Sequence, residues 1–143
     1  MVIFNSYCEN DTLNIASEFA SALRGGDVVA FRGGMGMGKT VFVRGCAQVL
    51  GIETDVSSPT FSIVNDYGGK INVYHFDMYR VESWDSLYST GFFDYLNENS
   101  ILFVEWSENI ENVLPDNTIT VEFNRGEQDS ERTIKIHGGD GRW

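Results

Sequence analysis

Residues 33–40 read GGMGMGKT, and they constrain the fold of this chain more than any other stretch. They fit the pattern G-x-x-x-x-G-K-[ST]. A match arises by accident about once per hundred chains of this length, so the flanking sequence has to decide. Residues 27–31 (DVVAF) form a short apolar run that predicts a buried strand. Residues 39–50 carry Val43, Ala47 and Leu50 at helical spacing, with Gly51 as the stop. Strand, glycine loop and helix in that order are the context in which such a loop cradles phosphate.

Each residue type has its own physical reason. Gly33, Gly36 and Gly38 permit backbone angles closed to other residues and let the chain approach an anion closely. Successive N–H groups then face inward, and the helix that follows directs its positive end to the same place. Lys39 supplies a mobile point charge for the β- and γ-phosphates, and the Thr40 hydroxyl suits Mg²⁺.

Hydrolysis needs a carboxylate beside such a loop, and open α/β sheets place ligands at strand ends. Asp77 ends VYHFD and Glu105 ends ILFVE, so both qualify. From the residues alone, Asp77 is the expected magnesium orienter or water-positioning group and Glu105 the outer ligand or base, with the roles open to exchange. Structural ion pairs mimic such sites, and an acidic residue after a strand also serves as a helix cap or faces water. Thr60, in SSPT, is a candidate γ-phosphate sensor or an ordinary loop threonine. Arg80 either neutralises developing charge or pairs with a carboxylate, His75 reads as a packed core histidine, and Trp106 either stacks on a base or partner or fills the core edge.

Along the rest of the chain, residues 11–24 predict an amphipathic helix, with Leu13, Ala16, Ala20 and Leu23 on one face, Asn10 or Asp11 as cap, and Gly25-Gly26 as terminator. Strands are expected at 61–67 and 71–76 about a Gly68-Gly69 turn, and at 101–104 in the sheet centre. Residues 84–97 read as helical in parts, with a break at Gly91. Alternation at Ile119, Val121, Phe123 and at Ile134, Ile136 predicts a closing hairpin joined by 124–130. The sum is a single α/β domain over 1–143, a P-loop NTPase fold in three αβα layers, with a mixed sheet and a C-terminal β-hairpin.

The net charge of −11, from 21 acidic and 10 basic residues, repels phosphate backbones at long range, so any nucleic acid is expected to be held by a basic partner. The start, MVIFNSYCEND, lacks a basic stretch followed by an apolar block, no apolar run approaches a membrane span, and two cysteines make no disulfide framework. A cytoplasmic protein with free thiols is expected. No Asn-Lys pair occurs, so a guanine-reading N-K-x-D segment is absent and ATP is the expected nucleotide. A small-molecule phosphotransferase would add an arginine-rich lid, which the chain does not show.

GGMGMGKT, SPTF at 58–61, YHFDMYR at 74–80 and VEWSE at 104–108, in that order and spacing, resemble the bacterial TsaE family of tRNA threonylcarbamoyladenosine biosynthesis. The similarity runs from about Thr12 to Pro115. It implies a P-loop ATPase, using ATP and Mg²⁺, that acts with the proteins TsaB and TsaD and meets tRNA only through them. TsaD transfers the threonylcarbamoyl group to the adenosine beside the anticodon, and hydrolysis resets the complex. By the same resemblance Gly36, Met37, Gly38, Lys39, Thr40 and Val41 hold the phosphates, Thr40 and Glu105 contact magnesium, Asp77 is the essential aspartate, and Thr12 and Arg132 lie near the nucleotide. Met37 stands where the family usually has alanine, and its side chain is expected to point out of the cradle. A competing expectation is a nucleotide-gated interaction module whose hydrolysis is incidental.

Overall fold

Among the described residues, seven strands form one sheet in the order β1-β7-β6-β2-β5-β4-β3. The computed structural model describes the whole chain except Met35, Thr54, Asp55, residues 57–63 and Lys70. The strands are β1 (Val2–Ser6), β2 (Val28–Arg32), β3 (Val64–Gly68), β4 (Asn72–Asp77), β5 (Ser100–Glu105), β6 (Ile119–Arg125) and β7 (Arg132–His137). β4, β5, β2 and β6 run parallel, while β3, β7 and β1 pair antiparallel at the two sides. The sheet is therefore mixed, and β6 and β7 form the expected closing hairpin.

Apolar residues in the central strands are buried on both faces, so alternation decides which layer each one joins. Val29 and Phe31 of β2, Ile101 and Phe103 of β5, and Val73 of β4 pack with Ala16, Phe19, Phe42 and Val43 of helices α1 (Glu9–Ser21) and α2 (Lys39–Leu50). Val28, Leu102, Val104 and Phe76 face the other way, against Leu87 of α3 (Trp84–Ser89), Phe92 of the 3₁₀ turn Phe92–Tyr95, and Ile110 of the 3₁₀ segment Ser107–Val113. Gly45 makes the close contact of the two long helices possible, because a Cβ there would stand 2.7 Å from Ala16 Cβ and 2.8 Å from the Leu13 carbonyl. Cys46 is buried in this layer, and burial pushes its thiol pKa far up, whereas Cys8 is exposed.

Three local expectations change. α1 starts earlier than Asn10 or Asp11 predicts: Cys8 is the N-cap without a capping side chain, and Asp11 sits in the first turn, accepting from Tyr7 N–H at 3.0 Å. The helix stops at Ser21, before the glycines. β1 was not foreseen, since VIFNS is short and only partly covered at the sheet edge. The break at Gly91 holds, at φ 74 between α3 and the 3₁₀ turn. Residues 61–63 of the expected third strand lie outside the described residues.

Candidate functional site

The order β2-β5-β4 brings three strand ends together. The glycine loop leaves β2, Glu105 ends the neighbouring β5, and Asp77 ends β4 in register with Glu105. Strands stand about 4.8 Å apart, so Glu105 is one strand from the loop and Asp77 two. Alternation puts Asp77, His75 and Val73 on the same face of β4, the face covered by α1 and α2.

The loop has the conformations that its glycines permit. Gly33 (φ 138), Gly36 (φ 74) and Gly38 (φ 96) all lie in the left-handed region. A Cβ at Gly33 would press on Phe123 at 3.1 Å, while at Gly36 and Gly38 it would meet nothing within 4 Å. Gly33 is thus demanded by close approach as well as by φ, whereas Gly36 and Gly38 line open space. Gly38 is the N-cap of α2; no side chain caps that end among the described residues, and its first turn holds no acidic residue. A helix N-terminus without a capping side chain suits an anion. Met37 packs against the apolar cluster under the loop.

Lys39 is 7 % exposed. Its Nζ donates to the Gly33 carbonyl at 2.8 Å and lies 5.1 Å above the Trp106 ring. No carboxylate pairs with it among the described residues. A buried ammonium held only by a carbonyl and an aromatic face is under-compensated, and anionic oxygen is what would complete it. Trp106 is brought there by an unusual backbone: directly after Glu105 it takes φ 57, a left-handed conformation rare for a bulky residue. Its ring also packs on Tyr79 at 4.9 Å.

Glu105 is 5 % exposed, and its Oε2 lies 2.8 Å from Nε2 of the fully buried His75. Asp77 is half-buried, with Oδ1 accepting from Tyr79 N–H at 2.9 Å. Among the described residues no group of three or more His, Cys, Asp and Glu side chains could hold a metal alone. The donors present are one or two carboxylates and the Thr40 hydroxyl, which fit Mg²⁺ because that ion takes few protein ligands and completes its shell with water and phosphate.

Arg132 opens β7 and reaches the loop from the hairpin side, its guanidinium 3.3 Å from the Gly36 carbonyl. Its Nε is buried without a hydrogen-bond partner among the described residues. Thr12 lies at the same end of the sheet, but its hydroxyl is engaged by Ser6 at 2.6 Å. Val41 is in the first turn of α2, and Arg80 is exposed beyond β4. Thr60 lies outside the described residues. Sequence reasoning missed the His75–Glu105 contact; the signal available was the two-residue step from His75 to Asp77, which puts both on one strand face.

Residues 6–134 match the model of the family described as threonylcarbamoyl adenosine biosynthesis protein TsaE. Three proteins named tRNA threonylcarbamoyladenosine biosynthesis protein TsaE are similar over most of the chain. That of Treponema pallidum is 32 % identical over 88 % of this chain and 93 % of its own. That of Rickettsia prowazekii is 38 % identical over 90 % of each, and that of Bacillus subtilis 38 % identical over 87 % of this chain and 77 % of its own. The crystal structure of Bacillus subtilis YdiB superposes with a TM-score of 0.75 at 28 % identity, covering 97 % of this chain and 86 % of that one.

Proposed function

The chain belongs to the TsaE family, which is named for tRNA threonylcarbamoyladenosine biosynthesis, and from that membership we propose that it hydrolyses ATP to drive the modification without performing the transfer itself. The observation that carries this reading is the buried, under-compensated Lys39 at the junction of strand, glycine loop and helix. Two carboxylates end the next two strands.

The division of labour follows from strand order. The loop amides, Lys39 and the first turn of α2 bind the triphosphate. Arg132 steadies the loop at Gly36 and adds positive charge on its outer side. Thr40 and Glu105, the carboxylate nearer the loop, would hold Mg²⁺, which when bound neutralises phosphate charge. Asp77, one strand further out and more open to water, orients the attacking water. ATP is favoured over GTP because nothing in the chain supplies a guanine-reading Asn-Lys segment.

The partners are proposed to be TsaB and TsaD, with tRNA met only through them. Support comes from the charge: a net −11 opposes direct docking on a phosphate backbone. No helix among the described residues is long and apolar enough to cross a membrane, and the cytoplasm is the proposed location.

Asp77→Asn separates this reading from a nucleotide-gated interaction module. Phosphate release should fall by about a hundredfold or more, nucleotide binding should persist, and tRNA modification by the reconstituted TsaB–TsaD system should fail. Modification that continues while hydrolysis has stopped would mean that nucleotide binding alone is sufficient, and the ATPase reading would be lost.

A further inference from the structure

We propose that His75, anchored by Tyr67, is a positioning residue that fixes Glu105 for its role at the phosphate site. The inference deepens the reading of Glu105 given above and rests on it. Three groups form a buried chain: the Tyr67 hydroxyl lies 2.7 Å from His75 Nδ1, and His75 Nε2 lies 2.8 Å from Glu105 Oε2. Tyr67 is 5 %, His75 0 % and Glu105 5 % exposed.

The chemistry of the three groups sets the direction of the chain. An ionised carboxylate only accepts, so Nε2 must carry the proton that it donates to Oε2. A neutral imidazole then has Nδ1 as acceptor, and the Tyr67 O–H donates to it. Tyr67 thereby selects the tautomer, and the tautomer holds the carboxylate. Carboxylates at metal sites are commonly held by such outer partners.

The contact sits at an irregularity in the sheet. Asn65 pairs with His75 and Asp66 with Tyr74, but Gly68 pairs with Val73, so Tyr67 is the extra residue of a β-bulge. Bulges re-aim side chains beside functional sites, and this one is completed by Gly68 at φ 67. The parallel pairing of His75 with Phe103 and of Asp77 with Glu105 sets His75 diagonally across from the carboxylate.

Two measurements test it. In nucleotide-free protein at pH 8, long-range ¹H–¹⁵N spectra should show the His75 ring protonated on Nε2, with His137→Gln used to assign the two histidines; a ring protonated on Nδ1 would overturn the proposal. Mg²⁺ is then titrated into the complex with a nonhydrolysable ATP analogue. His75→Phe should weaken Mg²⁺ by about 10–100-fold, leave the analogue's affinity in EDTA unchanged, and be largely rescued in His75→Gln, whose amide can donate to Oε2. A purely structural histidine predicts the reverse, with Phe tolerated and Gln the more damaging; that order, or wild-type Mg²⁺ affinity in His75→Phe, removes the proposal. Should the wild-type chain bind no analogue at all, the proposed function fails, while the tautomer measurement still decides the His75 assignment.

Discussion

At the N-terminal end of the parallel strands, Asp27 receives two contacts from the Arg142 guanidinium, at 2.8 and 3.0 Å, and a third from Arg24 N–H at 2.8 Å. Arg142 also donates to the Ala22 and Gly139 carbonyls, and its hydrogen bond to Asp27 raises its pKa above the ordinary value. Trp143 closes over this pair, stacked on Phe19 at 4.6 Å with its Nε1–H donating to the Phe19 carbonyl. At the opposite end, Lys39 is also buried, but among the described residues it meets a carbonyl and a ring and no carboxylate. One end compensates its buried charge within the chain and so stabilises the fold. The other leaves a cation and a helix N-terminus to be compensated from outside, which is how a binding site differs from a structural ion pair.

Substitutions at the two ends should therefore have opposite signatures. Arg142→Ala leaves the buried Asp27 carboxylate without its cation and should destabilise the chain by about 3 kcal/mol in urea unfolding, with nucleotide affinity unchanged. An Arg142→Ala protein of wild-type stability would show that the Asp27 end is not the structural one. Lys39→Ala should lower ATP-analogue affinity about a hundredfold by calorimetry, some 2.7 kcal/mol. Its stability should stay within about 1 kcal/mol of wild type, since a single hydrogen bond and a cation–π contact are lost. Because the two positions share no partner among the described residues, the double variant should show both effects additively; strong coupling would mean that the two ends are not independent.

The parts of the molecule that were legible in the sequence are those specified locally. DVVAF, GGMGMGKT and the helical spacing after it lie within 24 consecutive residues (27–50), and glycine placement with apolar periodicity is enough to read them. Asp77 and Glu105 were legible because each closes an apolar run. The features that were not legible depend on register or on distance along the chain. Tyr67 meets His75 across the β3–β4 pairing, beside a bulge that the sequence does not announce. Asp27 and Arg142 are 115 residues apart. β1 has no continuous apolar face because it lies at the edge of the sheet, and Cys8 opens α1 without the capping side chain that marks a helix start in sequence.

The central claim is that the loop at 33–40 is where a triphosphate is gripped, with Lys39 as its cation. A crystal structure of the chain with a nonhydrolysable ATP analogue and Mg²⁺ tests it most directly. The account predicts phosphate oxygens against the amides of that loop and Lys39 Nζ moved from the Gly33 carbonyl onto the analogue. A loop without phosphate, Lys39 still bonded to Gly33, and the nucleotide seated elsewhere would contradict it.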